Sequence, residues 1–282
     1  MPRPLILVTN DDGITAGGIA ALVGVAKEFG DVLVVAPDSP QSAQGHAITI
    51  SVPVFVRESD ALGPDIEAYE CSGTPVDCVK LAKSVLLNGR TPDLCLSGIN
   101  HGSNAAINIL YSGTLSAAME ASLEGIPSIG FSFLNYRADA DFSACLPYVR
   151  HLVDFVLTNG MAEGSLFNVN IPDLPAEEIR GLKVCRQAEA RWVEEYTRSE
   201  DPRGRPYYWL TGRFVNEDER TDTDAYALQN GYVALVPSVH DLTNHRALQS
   251  LQTIEASLQP EAVSYVETGS DRPDKQQQLE QF

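Results

Sequence analysis

Two carboxylates stand side by side near the start of the chain: Asp11 and Asp12 follow the apolar run Leu5-Ile6-Leu7-Val8 and precede Gly13. Such a run reads as a buried parallel strand, and in open α/β sheets ligands bind in the crevice beyond the strands' carboxyl ends. Two like charges held there repel each other unless a cation lies between them or one takes up a proton. A divalent metal is the simplest resolution. Three further loops rich in oxygen donors follow strand-like segments: residues 38–49 with Ser39 and Ser42, residues 97–104 with Asn100 and Asn104, and Tyr111-Ser112-Gly113-Thr114. Carboxylates, hydroxyls and amides are hard ligands, which suit magnesium or manganese better than zinc. Ser112-Gly113-Thr114 also opens an amphipathic stretch, so free backbone N–H groups, two hydroxyls and a positive dipole end would face a ligand together. A phosphate fits there.

Each signal has an ordinary alternative. Asp-Asp-Gly is a common turn and helix start, and Ser-Gly-Thr a common N-cap. Ser72-Gly73-Thr74-Pro75 is read as a cap alone. His46, His101, His240 and His245 lack metal-ligand spacing and are read as loop or surface residues, and Asp77, Lys80 and Lys83 as a solvated helix face. The weight of the metal and phosphate readings comes from the joint occurrence of four such loops on successive strand ends.

Those loops need elements to bring them together. Ile19, Leu22, Val23, Ala26 and Phe29 keep helical spacing and stop at Gly30, and Val32-Leu33-Val34-Val35-Ala36 follows as a second strand. Thr74-Pro75 opens a helix carrying Val76, Val79 and Leu86, with Asn88-Gly89 as its stop. Residues 93–100 read as a strand, then Leu115, Ala118, Met119, Ser122 and Leu123 as a helix, residues 126–131 as a strand, 142–157 as a helix and 166–172 as a strand. This alternation predicts an α/β fold, a Rossmann-like three-layer sandwich with a mainly parallel sheet. From about residue 183 the texture becomes aromatic and alternating, and a hairpin is expected at about 190–215 with its tip at Asp201-Pro202-Arg203-Gly204-Arg205-Pro206. So many exposed aromatics need a packing surface, either a second subunit or the hairpin's own sheet. Residues 1–250 are expected to form one domain, and the polar residues 251–282 a loosely ordered tail.

Composition narrows the partners. The 282 residues carry 20 Lys plus Arg against 38 Asp plus Glu, a formal net charge of -18, which argues against duplex nucleic acid. A small anionic substrate must then meet a local source of positive charge. Five cysteines without a CxxC pair leave one thiol unpaired under any disulfide scheme, and three of them, in apolar or helical surroundings, are read as buried free thiols. No long apolar segment or secretory leader is visible, so no membrane partner and a cytoplasmic location are expected.

Taken together, Thr9-Asn10-Asp11-Asp12-Gly13-Ile14, Val35-Ala36-Pro37-Asp38, Ser72-Gly73-Thr74-Pro75, Ser97-Gly98-Ile99-Asn100 and Tyr111-Ser112-Gly113-Thr114 with Ala117-Ala118-Met119-Glu120 resemble the SurE, or survival protein E, family of nucleotidases. Weaker matches continue through Asn168-Val169-Asn170-Ile171-Pro172 and Thr221-Asp222-Thr223-Asp224 to Asp241-Leu242-Thr243, so the resemblance runs to about residue 246. It implies a metal-dependent phosphomonoesterase that hydrolyses nucleoside monophosphates, a 5′-nucleotidase with possible 3′ activity, holding one divalent ion per subunit, magnesium or manganese. It also implies a carboxyl-terminal part that exchanges segments between subunits of a homodimer or homotetramer. By likeness to the family motifs, Asp11, Asp12, Ser42 and Asn100 would hold the ion, with Ser39 the lesser option for the serine. Asn104, Ser112, Gly113 and Thr114 would lie against the phosphate. One departure stands out: where the family often has basic residues and a glycine directly after the metal-binding serine, this loop reads Ser39-Pro40-Gln41-Ser42-Ala43-Gln44-Gly45-His46. The missing cation bears on affinity and base preference.

On this reading a metal-activated water is the nucleophile, Asp11 or Asp12 is a ligand that also accepts a proton, and Ser112 and Thr114 with nearby amides stabilise the developing oxyanions. The competing enzymatic route passes through an aspartyl-phosphate. A non-catalytic nucleotide-binding regulatory module is the alternative from another class. A glycosyltransferase-like site is disfavoured by the absence of a separated Asp-x-Asp pair.

Overall fold

In the computed structural model, which describes residues 3–257, the first strand, β1 (Leu5–Thr9), buries all five of its residues. Alternate side chains leave a strand on opposite faces, so Ile6 and Val8 enter one apolar core while Leu5 and Leu7 enter another. A strand covered on both faces must lie in the middle of a layered fold. α1 (Gly17–Phe29) follows, burying Ile19, Leu22, Val23 and Ala26 as their spacing predicts. The chain continues through β2 (Asp31–Pro37), β3 (Val56–Glu58), β4 (Glu67–Cys71), α2 (Pro75–Leu81), β5 (Leu94–His101), α3 (Gly113–Leu123), β6 (Ser128–Phe133), α4 (Leu146–Asn159) and β7 (Ser165–Ile171). It ends in β8 (Leu182–Val184), β9 (Ala190–Glu200), β10 (Pro206–Asn216), α5 (Asp224–Gln229), β11 (Val233–Val239) and α6 (His245–Ser257).

Nine strands form one sheet in the order β3-β4-β2-β1-β5-β6-β7-β11-β8. The run from β4 to β7 is parallel throughout, while β3 pairs antiparallel with β4 and β11 antiparallel with β7. Helices α1 and α4 supply Ile19, Leu22, Val149 and Val153 to the core on one face. Helices α2 and α3 supply Cys78, Val79, Ala117 and Ala121 to the other. The expected three-layer α/β sandwich is what forms. From β1 the chain steps outward through β2 to β4, then returns to the other side of β1 as β5. The strand order therefore reverses at the β1–β5 pair, and that crevice is where a sheet of this kind accepts a ligand.

One local reading comes out differently in three dimensions. Asp77 is not on a solvated face: it is buried, accepting the Thr74 backbone N–H at 2.9 Å while its own N–H donates to Thr74 Oγ1 at 3.2 Å. That closes a capping box at the start of α2, so Ser72-Gly73-Thr74-Pro75 is the cap it was read as. Lys80 and Lys83 reach across to Glu120 and Glu124 of α3 and its end. All five cysteines are buried and free.

The aromatic hairpin exists as β9 and β10, an antiparallel pair in a sheet of its own. Its tip is tied by Asp201, whose carboxylate accepts the N–H groups of Arg203 and Arg205 at 2.8 and 2.9 Å. Tyr196, Tyr208, Trp209 and Leu210 are each more than half exposed, so the hairpin does not bury them on a sheet of this chain. The chain divides into two compact units after His240. In the second unit α6 runs on to Ser257, so the polar segment expected to be loose from residue 251 begins as helix, and 258–282 lie outside the described residues.

Candidate active site

The carboxyl ends of β1 and β5 deliver Asp11, Asp12 and Asn100 to one cavity of about 520 Å³, and the loop after β2 brings Ser42 to its wall. Residues from three segments, nearly ninety positions apart in sequence, thus converge where the strand order reverses. Ser39 stands elsewhere, exposed, with its hydroxyl donating to Asp38 at 2.9 Å. Asn104 and Ser112 line the same cavity.

Asp11 is buried, and its carboxylate accepts the hydroxyl hydrogen bond of Thr114. Burial pushes its carboxyl up to about 6, the Thr114 bond works in the opposite sense, and the neighbouring Asp12 charge adds to the rise. Asp12 is also raised by burial, opposed by the His101 backbone N–H, which donates to its Oδ2 at 3.3 Å. A site that makes two adjacent carboxylates harder to ionise is one in which a cation gains by binding. Asn100 has its amide fixed in one orientation. Its Nδ2 donates to the carbonyls of His101 and Gly102 at 3.1 and 3.0 Å, which leaves Oδ1 as the free end. The donor set is thus two carboxylates, one amide oxygen and one hydroxyl, all hard oxygens of the kind magnesium and manganese prefer. No cluster of three His, Cys, Asp or Glu side chains suited to a metal occurs among the described residues, so the Ser and Asn oxygens are needed to complete a set here.

The Ser112-Gly113-Thr114 loop divides its labour. Ser112 is the N-cap of α3, accepting the Leu115 N–H at 3.0 Å, and it faces the cavity. Thr114 is fully buried with its hydroxyl on Asp11. Gly113 packs so tightly that an added Cβ would lie 2.7 Å from Asp11 Cβ. The helix start is therefore braced against the carboxylate as well as open toward a ligand.

Sequence reasoning missed the scaffold around Asn104. Its N–H donates to Asn170 Oδ1 at 2.8 Å, its Nδ2 to Ser132 Oγ at 2.8 Å, and its carbonyl accepts from Asn168 Nδ2 at 2.9 Å. Asn170 in turn donates to Asn168 Oδ1 at 2.8 Å. The signal was present as two asparagines at alternate positions in an otherwise apolar strand, both necessarily on one face. Asp224 was also missed: buried, it accepts the N–H groups of Ala106, Ala188 and Ala225 at 2.8, 3.0 and 2.7 Å. It joins the segment after Asn104 to the root of the hairpin. Trp192 on β9 reaches the cavity too, with Nε1 donating to Asn108 Oδ1 at 2.7 Å.

Fold and site together define a doubly wound α/β protein with an oxygen-lined crevice at its topological switch point. The particular family is settled by comparison: residues 6–194 match the model of Survival protein SurE, and the chain belongs to the SurE family. It is 53% identical over 251 residues to the 5′-nucleotidase SurE of Flavobacterium psychrophilum, covering 89% of this chain and 97% of that one. It is 56% identical over 256 residues to the protein of the same name from Christiangramia forsetii, covering 89% and 96%. Among solved structures, the SurE protein of Aquifex aeolicus superposes with a TM-score of 0.77 at 41% identity, over 89% of this chain and all of that one.

Proposed function

We propose that this protein is a metal-dependent 5′-nucleotidase that hydrolyses nucleoside monophosphates to nucleoside and phosphate. The observation that carries the reading is the meeting of Asp11, Asp12, Ser42 and Asn100 in one cavity whose other wall is aromatic and apolar, built from Tyr111, Tyr136, Trp192 and Leu210. One end suits a cation and a phosphate, the other the flat faces of a nucleoside. The relatives' shared name, 5′-nucleotidase SurE, supports the same activity and gives no support to a non-catalytic nucleotide-binding module.

Asp11, Asp12, Ser42 and Asn100 would hold one divalent ion, magnesium or manganese. Bound there, the ion supplies a Lewis acid toward the phosphoryl oxygens and acidifies a water. The remaining work falls to the chain. Asp11, kept rigid by Thr114 and Gly113, would accept a proton within reach of the reacting centre. The backbone N–H groups at the start of α3, with Ser112 and Asn104, face the phosphate oxygens as negative charge develops on them. Trp192, fixed by Asn108, orients the nucleoside. The exposed aromatic strip of β9 and β10 supports assembly as a homodimer or homotetramer. No helix among the described residues is long and apolar enough to cross a membrane, and we place the enzyme in the cytoplasm with no duplex nucleic acid as partner, in keeping with a charge of -18.

The test is phosphate release from a panel of 5′- and 3′-nucleoside monophosphates with manganese, with magnesium and after EDTA. Metal-dependent release from the 5′ esters is the expected outcome. Release unaffected by EDTA, or nucleotide binding without release, contradicts the reading.

A further inference from the structure

The loop that brings Ser42 to the cavity is fastened to a buried carboxylate with no part in the chemistry just described. Glu120 lies on α3, two turns beyond Gly113, and its side chain is only 5% exposed. Lys80 of α2 reaches its Oε1 at 2.5 Å, and His46 Nε2 meets its Oε2 at 2.9 Å. The His46 contact, against the opposing effect of burial and with help from Lys80, holds the Glu120 carboxyl below the usual range. A buried carboxylate is held to its partners because losing one leaves charge stranded in a poor solvent.

His46 stands four residues after Ser42, and a backbone hydrogen bond ties the chain on each side of that serine. On one side of Ser42, the Gln41 N–H donates to the Asp11 carbonyl at 2.8 Å. On the other, the Gly45 N–H donates to the Tyr111 carbonyl at 3.2 Å, immediately before His46 reaches Glu120. Ser42 is thus suspended between an anchor on the Asp11 loop and an anchor on the helix that begins at the phosphate end. The sequence resemblance gave Glu120 no role, and His46 was read as an ordinary loop histidine.

We propose that His46, clamped by Glu120, is a positioning residue that sets the Ser42 hydroxyl against the Asp11–Asp12 pair. The inference rests on the reading of Ser42 as a donor to a divalent ion. Outer partners of metal ligands change affinity by about ten- to a hundredfold when removed, which fixes the scale of the effect.

The test is manganese binding by the purified full chain, read by electron paramagnetic resonance of the free ion. His46→Ala leaves Glu120 paired with Lys80, so the fold survives, and it is expected to weaken manganese binding about ten- to a hundredfold. The manganese concentration for half-maximal rate should rise by the same factor, with kcat at saturating metal nearly unchanged. His46→Gln, whose amide can still donate to Glu120, should recover most of the affinity. Because His46 acts through Ser42, the double variant S42A/H46A should bind no more weakly than Ser42→Ala alone. Normal binding by His46→Ala, or losses that multiply in the double variant, overturns the positioning role while leaving the enzyme's metal site intact. A wild-type chain that takes up no manganese overturns the metal reading itself, and the role of His46 with it.

Discussion

Gly113→Ala tests how finely Asp11 is placed. The new methyl would lie 2.7 Å from Asp11 Cβ, 3.0 Å from Oδ2 and 3.1 Å from Cγ, whereas carbon atoms in ordinary contact sit about 3.5–4.0 Å apart. Asp11 or the first turn of α3 must therefore yield by roughly 1 Å, a misplacement that costs on the order of 10²-fold in rate. That corresponds to about 2.7 kcal/mol of transition-state stabilisation. Overpacking costs about 1–3 kcal/mol of stability, offset by up to about 1 kcal/mol of gained helix propensity, so the melting curve must show the variant folded at the assay temperature. The assay is phosphate release from a nucleoside 5′-monophosphate with manganese, alongside thermal melting followed by circular dichroism. Thr114→Ser serves as the control, since it keeps the hydroxyl on Asp11. A folded Gly113→Ala protein with kcat/KM within threefold of wild type refutes the idea that this contact sets the carboxylate.

Asp11→Asn should abolish nearly all turnover while the fold persists, and it should change the pH dependence of stability in the metal-free state. A carboxyl raised from 3.8 to about 6 by folding contributes stability that is fully present below pH about 4 and lost as pH climbs through 6, about 3 kcal/mol in all. Urea unfolding in EDTA should therefore find the Asn variant more stable than wild type at pH 7, with a gap that closes toward pH 4; an equal gap at both pH values contradicts the assignment. Ala43 adopts φ +59°, a left-handed conformation that favours glycine, so Ala43→Gly should raise the free energy of unfolding by about 1 kcal/mol with activity retained. Asp224→Ala strands three buried N–H groups and should lower stability by roughly 4 kcal/mol; a loss below about 1 kcal/mol in the same urea assay would show that water takes over its role.

Legibility in the sequence followed the range of the interaction. Periodicity is local, so the strands at β1, β2 and β5 and the helices α1, α2 and α3 could be read from their apolar spacing, with Gly30 marking the end of α1 and Thr74 the start of α2. The edge strands β3 and β8, each three residues long and partly exposed, carry no such pattern and went unread. Within the site, Asp11 and Asp12 were visible because adjacent carboxylates after an apolar strand are costly without a purpose. Asn104 could be named, but the Asn168–Asn170 support could not, because it depends on which strand ends lie beside one another. The solvated reading of Asp77 failed for the same kind of reason. Charge alone suggested exposure, whereas the capping geometry at Thr74 and the Thr49 N–H, 3.1 Å from Asp77 Oδ1, supply the partners that make burial possible.

The site also explains how so acidic a chain can take an anion. Among the described residues, no Lys or Arg side chain lines the cavity, and two carboxylates do. The loop that carries Ser42 offers Ser, Gln and Ala side chains, with its one histidine turned toward Glu120. A phosphate dianion approaching the free protein meets the field of Asp11 and Asp12 with only backbone amides and neutral side chains to offset it. On the proposed reading, affinity for nucleotide is conditional on a bound cation, and by linkage the nucleotide tightens the hold on that cation by the same factor. A fixed arginine would bind phosphate whether or not the catalytic ion was present, and would retain the product after the ester bond had broken. On the proposed reading, leaving the positive charge to an exchangeable ion would tie occupancy of the cavity to competence for the reaction.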